Sequence, residues 1–536
     1  MSDNRKTNCL YFLLALLLGV LIGLYVNMGN VRKALSIARA GHSKFDAVMS
    51  YVNSEYVDTV DIKKIEENAI VAMMDELDPH SQFVSEEEFN AMNDPLLGSF
   101  EGIGVSFRLE KDTVTIINTI KGGPSEKVGV MAGDRIIMVN DTLIAGVKMK
   151  NDEVMRYLKG PKNTKVAIKV LRRGVDGLLD FTITRDVIPT YSVEVAYMLD
   201  EEIGYLKLGK FSATTYDEFV KGIKKLRSQG MKKLVFDLRG NSGGYLSAAV
   251  DIADEFLSKG SLIVYTEGRN RPRYYMTARR HGMLEDTPVA VLIDGESASA
   301  SEIVAGALQD NDCGVIIGRR SFGKGLVQEQ MMLTENSAIR LTVARYYTPT
   351  GRSIQKPFDG DREKYLFESY ERYESGELFS ADSIHFSDSL KYVTPKGKTV
   401  YGGGGIMPDI YVPLVDDTAE YFFNRIVNTG ILFQYAFDYT DAHRQELNKY
   451  ESVAQFARSF KVTDAMFNEL MKRVEEKGLK GTEKEKQVAR REVNILLKAY
   501  IARNVFDDEG FYPVYEEMDE ILQRAIKELK STESVE

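Results

Sequence analysis

The pattern of apolar and polar positions divides the chain into five stretches. Leu10 to Val26 is a nearly unbroken apolar run preceded by Arg5 and Lys6. It is near the lower limit for a spanning helix and longer than a typical signal-peptide core, which predicts a retained membrane anchor, with a cleaved signal as the alternative. Ala38-Arg39-Ala40 has the form of a cleavage site but lies too far downstream, and Arg32, Lys33 and Arg39 leave the orientation open. From Ala34 to about Met92 apolar positions recur at helix spacing (Phe45, Val48, Met49, Val52; then Ile65, Ala69, Ala72, Met73), until Leu77-Asp78-Pro79-His80-Ser81 breaks the period. A histidine in such a turn is expected to hydrogen-bond locally.

Between Gly98 and Arg185 the period shortens. Strand-like runs occur at Val114–Ile117, Arg135–Val139, Val166–Leu171 and Phe181–Thr184, with short helices at Ser125–Val130 and Asn151–Leu158. From Val187 to about Pro413 strands and helices alternate. Strands are expected at Ile203–Lys207, Leu234–Leu238, Leu262–Thr266, Val289–Ile293 and Gly314–Gly318; helices at Tyr216–Gln229, Leu246–Leu257 and Ser297–Gln309. That order predicts an α/β layer with crossover connections. Ile339 to Tyr347 alternates as a further strand, and a polar, charge-rich insertion follows from about Phe358 to Thr399. Asp417 to Glu536 is helical with charged faces and is expected to pack on the core or mediate oligomers; the charge run Lys477–Arg491 within it is expected as an exposed helix. The expected divisions are residues 1–33, 34–95, 96–186, 187–415 and 416–536.

The chemistry concentrates between Ser297 and Gln328. Ser299 falls where a buried strand turns into a helix, a place where unpaired N–H groups and the helix dipole favour a developing oxyanion. A serine hydroxyl needs a base. Lys324, flanked by Gly323 and Gly325, can serve if burial brings its pKa from ~10.4 towards ~7–8. Other readings compete. The serines suit a helix N-terminus. Gly318 to Lys324 fits G-x-x-x-x-G-K, but Gly325 stands where a phosphate loop has Ser or Thr. His281 is the nearest histidine that would replace Lys324 as base. No H-E-x-x-H occurs, so a metalloprotease is disfavoured, and no metal or cofactor is expected.

The run D-G-x-S-A-S-A-S-E followed by F-G-K-G-x-V-Q resembles the signature of the C-terminal processing peptidases, or tail-specific serine proteases. The resemblance spans roughly residues 45–415. It implies a crotonase-like core, with Ser299 as nucleophile, Lys324 as general base and Gln328 orienting the lysine. It also implies an oxyanion hole made by the N–H of Ala300 and that of Gly243 or Gly244, in Asp237-Leu238-Arg239-Gly240-Asn241-Ser242-Gly243-Gly244; Asp237 and Arg239 suit a structural pair. Residues 98–185 resemble a PDZ domain, entered by Gly102-Ile103-Gly104-Val105 and marked by Gly133-Asp134-Arg135-Ile136-Ile137. Such a module takes a peptide as an added strand and its terminal carboxylate on the glycine-loop N–H groups, with Val154 and Leu158 expected along the groove. Leu158-Lys159-Gly160 departs from the L-R-G common in the family. Gly402 to Gly405 and Ile406-Met407-Pro408-Asp409 match a further family segment.

Composition narrows the picture further. The chain has 536 residues, 44% hydrophobic and 28% charged, with a net charge of −10 that gives no reason to expect nucleic acid. Cys9 and Cys313 are expected to remain unpaired. The expectation is thus a multidomain α/β serine endopeptidase: a crotonase-like Ser/Lys core, a PDZ domain and helical regions at both ends. It cleaves proteins with accessible C-termini from the periplasmic face of a bacterial inner membrane, alone, as a homo-oligomer or with an adaptor. The alternative is a catalytically silent PDZ scaffold.

Overall fold

The computed structural model describes residues 44–384, 387–414 and 418–531. The apolar Leu10–Val26 run lies outside them, and no helix of the described residues is long and apolar enough to cross a membrane. Residues up to Leu77 form one unit and residues from Asp78 another. The first contains helices Lys44–Glu55 and Ile62–Asp75, the second capped by the Asp61 carboxylate on Lys64 N–H.

The second unit is built on a six-stranded sheet. Its strands are, in spatial order, Val193–Met198, Ile203–Leu208, Lys233–Asp237, Val289–Ile293, Val315–Gly318 and Ile410–Tyr411. The first pair is antiparallel and the others are parallel. Lys233–Asp237 and Val289–Ile293 are buried along their whole length, as continuous apolar strands covered on both faces must be. Leu234 and Phe236 face one layer with Phe219, Ile252, Phe256 and Val304, from the helices Thr215–Ser228, Leu246–Ala253 and Ala300–Asp310 and the turn after the second. Tyr205, Val235, Leu292 and Ile317 face the other layer, closed by Ile521, Leu522, Ala525 and Leu529 of the last helix, Glu520–Ser531. This helix is therefore the second cover of the core sheet.

A second sheet is organised on the long strand Ala338–Tyr347. Leu326–Met332 pairs along one edge, Gln82–Val84 and Leu262–Gly268 along the other, and Arg271–Thr277 lies outermost. Leu262–Thr266, expected in the parallel layer, is thus a strand of this antiparallel sheet: an apolar run announces a strand but not its neighbours.

The module between residues 102 and 184 is an antiparallel sheet, Val105–Glu110, Thr113–Thr119, Arg135–Val139, Lys165–Leu171 and Leu178–Thr184, with helices Pro124–Lys127 and Asn151–Leu158. Val154 and Leu158, expected along the groove, are buried with Ile103, Val114, Ile136 and Ile168 in its core. The C-terminal helices have a core of their own around Phe456, Leu470, Val493 and Leu497. They also touch the module, where Arg108 lies 4.9 Å over the Phe433 ring and Asn118 donates to Asp507 at 2.6 Å. The charge run Lys477–Arg491 is not one helix. One helix ends at Glu476 and the next begins at Glu483, where Thr482 and Glu485 form a reciprocal cap.

Candidate active site

The three serines of the S-A-S-A-S run have different surroundings. Ser297 Oγ donates to Leu238 O at 2.9 Å and Ser301 Oγ to Asn241 O at 2.8 Å, both fully buried. They tie the turn after Val289–Ile293 to the loop after Lys233–Asp237. Ser299 stands between them in the cleft, with φ 55°, a backbone state that costs a non-glycine residue about 1–3 kcal/mol and is found where the surroundings enforce it. Glu302 enforces it here. Its Oε2 accepts the Ser299 N–H at 2.8 Å and the Lys324 N–H at 2.9 Å, and its Oε1 accepts the Gly323 N–H at 2.7 Å and the Ser321 hydroxyl at 2.5 Å. Glu302 is fully buried; burial pushes its carboxyl above the usual range while the four donors pull it back. The Tyr346 hydroxyl adds a second tie, 3.0 Å from Ser299 O and 2.5 Å from Lys324 O.

The lysine loop runs through a narrow space. A β-carbon on Gly325 would lie 2.9 Å from Gln355 N, and one on Gly323 would lie 3.1 Å from Gly405 N, so the two glycines permit the close passage. Lys324 Nζ donates to Gln328 Oε1 at 2.9 Å, and Gln328 Nε2 donates to the His80 carbonyl. The carbonyl fixes which way the amide faces, because only its oxygen then remains for the lysine. Burial holds the Lys324 ammonium below the ordinary lysine range, and the charge of Arg340 adds to this; Asp78 and Glu302 pull the other way.

The cleft that holds Ser299, Ala300, Lys324, Gln328, Gly244 and Arg340 has a volume of about 660 Å³. Gly243 packs behind it. A β-carbon there would meet Ser299 Cβ at 2.8 Å, and its N–H donates to Asn241 Oδ1 at 2.9 Å. Gly244 takes φ +144°, and its β-carbon would fall 2.0 Å from Phe211 O.

The remaining sequence candidates lie elsewhere. The His281 side chain is 78% exposed and pairs with Glu285 at 2.8 Å, away from the cleft lining. His80, expected to bond locally, does so through its N–H to Asp78 Oδ1 at 2.8 Å, while its ring reaches Tyr365 Oη at 2.8 Å; it contributes its backbone carbonyl to the site. After Lys324 the chain enters strand Leu326–Met332, not the helix that a phosphate loop requires. In the module loop, Ile103 is buried and its carbonyl accepts Ser125 N–H and Oγ at 3.1 and 2.6 Å, while Gly104 has φ +73° and leads into the strand that starts at Val105; Gly102 ends the strand before it. Glu302, Tyr346, Arg340 and the His80 carbonyl were not singled out from the sequence. Only Glu302 carries a signal there, an acid three residues into the helix after Ser299, the spacing of a capping box.

The model of Peptidase family S41 matches residues 202–363, ending inside the insertion; that of the PDZ domain matches 102–183; and that of a family of unknown function matches 422–507. A carboxy-terminal-processing protease of Bartonella bacilliformis is 41% identical over 318 residues, 58% of this chain and 72% of the relative. The carboxy-terminal processing protease CtpA of Bacillus subtilis is 35% identical over 325 residues, 60% of this chain and 68% of the relative. A solved photosystem II D1 C-terminal processing protease aligns with a TM-score of 0.37 at 26% identity, covering 70% of this chain and 87% of its own. Fold and relatives together define a serine-type endopeptidase with a PDZ domain. The chain belongs to the C-terminal processing proteases of peptidase family S41.

Proposed function

We propose that Ser299 and Lys324 form the catalytic dyad and that the PDZ module presents the substrate's C-terminus to it. The observation that supports this most is the cleft they share, with Lys324 Nζ held by Gln328 and depressed towards its neutral form by burial. Neutral Lys324 takes the Ser299 hydroxyl proton as Oγ bonds to the substrate carbonyl carbon. The resulting oxyanion is received by the N–H of Ala300, at the first helical position, and of Gly244, which lines the cleft; the Gly243 N–H is engaged by Asn241. As the C–N bond breaks, the lysine ammonium gives its proton to the leaving amine. Water then attacks the acyl-enzyme, Lys324 accepting its proton and returning it to Ser299. Gln328 keeps the lysine aimed throughout.

The loop Gly102-Ile103-Gly104-Val105 would receive the terminal carboxylate on its N–H groups, with the peptide added along Val105–Glu110. We extend the proposal to an extracytoplasmic location with residues 10–26 as anchor, which fractionation of cells expressing the full chain would test. The dyad is tested by cleavage of an unfolded protein with an apolar C-terminal tail, comparing the parent with Ser299→Ala, Lys324→Ala and His281→Ala. Loss in the first two and retention in the third is expected. Activity that survives Lys324→Ala rejects lysine as base, and a parent that binds tails without cleaving any is a scaffold.

A further inference from the structure

The described part of the polar insertion folds against the lysine loop through its first two helices. Helices Arg362–Leu366 and Glu368–Glu374 carry two buried side chains towards it, Tyr365 and Arg372, 5% and 6% exposed. The Arg372 guanidinium donates to Ser321 O at 2.9 Å and to Arg320 O and Phe322 O at 3.3 Å, three successive carbonyls just before Gly323-Lys324. Glu368 holds the other side of the same guanidinium at 3.1 Å.

Tyr365 reaches the opposite side of the loop. Its hydroxyl lies 2.8 Å from His80 Nε2 and 3.0 Å from Gln355 Nε2. The Gln355 amide nitrogen is a donor, and its oxygen already accepts the Gly325 N–H at 2.8 Å. The phenol therefore accepts from Gln355, and a single hydrogen joins it to His80 Nε2. Burial, with Lys324 next, depresses His80 to about 4, which keeps the ring neutral near pH 7. The same His80 supplies the carbonyl that anchors Gln328, and Gln328 holds Lys324 Nζ. The insertion thus grips the loop before Lys324 through Arg372, after it through Gln355, and at the ammonium through His80 and Gln328.

We infer that the insertion is a positioning element for the lysine of the dyad, with Tyr365 and Arg372 as its positioning residues. This rests on the reading of Lys324 as general base. Neither residue touches substrate; each acts by fixing where Nζ sits and how dry its surroundings are. Arg340 from strand Ala338–Tyr347, Glu302 from helix Ala300–Asp310, and Asp78 and His80 from the turn before Gln82 are the other charged or titratable groups facing Lys324.

The test compares full-length parent, Tyr365→Phe, Arg372→Lys and, as control, Tyr370→Phe, whose ring is exposed on the outer side of the insertion. Cleavage of an unfolded protein with an apolar tail gives kcat, KM and the pH dependence of kcat; thermal unfolding gives stability. Tyr365→Phe keeps the ring and removes one oxygen, so folding is retained. A lysine released into a wetter, looser site titrates closer to the ordinary range, so the limb on which activity rises with pH moves to higher pH. Tyr365→Phe and Arg372→Lys are expected to lower kcat about 10- to 100-fold, with KM little changed, the limb displaced upwards and Tyr370→Phe like the parent. Parent-like kcat and limb in both variants, with Lys324→Ala inactive, overturn the inference and leave the dyad standing. So does a loss of kcat that tracks lost thermal stability with the limb unmoved. Activity in Lys324→Ala overturns the dyad reading and this inference with it.

Discussion

The amide N–H groups of Ser299 and Lys324 point at the same oxygen, Glu302 Oε2, from 2.8 and 2.9 Å. The second oxygen takes the Gly323 N–H and the Ser321 hydroxyl. One buried carboxylate thus fixes the backbone on both sides of the site, including the positive φ of Ser299.

Glu302→Gln tests this. An amide offers one acceptor oxygen, and its NH2 would face donors that have nowhere else to turn. The variant is expected to lose about 1–3 kcal/mol of stability, the cost of a buried donor left unmatched, and about 100-fold in kcat from displacement of the two loops. Urea unfolding and kcat on a tail-bearing substrate check the two parts separately.

Arg340 is expected to shift the pH range. Burial is the larger cause of the depressed Lys324, and the Arg340 charge is the next. As the proposed base, Lys324 would act only when neutral, so activity is expected to rise with pH through its pKa. Arg340→Met removes a positive neighbour, the ammonium becomes easier to keep, and the rising limb moves to higher pH. At a fixed pH below the limb, the neutral fraction falls about tenfold for each pH unit of that displacement. The pH profile of kcat for parent and variant decides it; an unmoved limb assigns the depression to burial alone.

The proposed dyad was drawn from short local signatures whose residue types carry chemistry: a serine at a strand–helix junction, a lysine between glycines, a glutamine four residues on. What supports it was not legible, for a physical reason. The acceptor that aligns Gln328 is the carbonyl of His80, and a backbone carbonyl leaves no mark in residue type. Leu262–Thr266 announced a strand but not which sheet it joins. The last helix shows an apolar stripe, yet nothing local says that its partner is Val235 and Leu292 on a sheet far earlier in the chain. The break inside Lys477–Arg491 was readable, since Thr482-x-x-Glu485 has the spacing of a capping box; the charge run drew attention away from it.

Gly243 is expected to tolerate no side chain. It has φ +103°, and a β-carbon would lie 2.8 Å from both Ser299 Cβ and Ala298 O. Gly243→Ala must push the serine turn away or twist its own loop, whose Gly244 N–H is proposed for the oxyanion. Removal of one such donor typically costs about 2.7–4 kcal/mol of transition-state stabilisation, so kcat is expected to fall at least about 100-fold with tail binding by the PDZ module retained. Parallel measurement of tail-peptide binding and cleavage separates the two.

The last helix gives the clearest stability prediction. Leu522 is 2% exposed and packs with Ile521, Ala525 and Leu529 onto the sheet face formed by Tyr205, Val235, Leu292 and Ile317. Just before it, Asp519 pairs with Arg239 at 2.6 and 2.7 Å, and Arg239 also pairs with Asp237 at the end of a central strand. Leu522→Ala leaves a cavity in a two-sided core and is expected to cost about 2–5 kcal/mol. The helix does not touch Lys324, so the pH limb of the surviving activity should stay where it is. Denaturant unfolding beside the pH profile checks both. A Leu522→Ala protein as stable as the parent would mean that the sheet face is covered by something other than this helix.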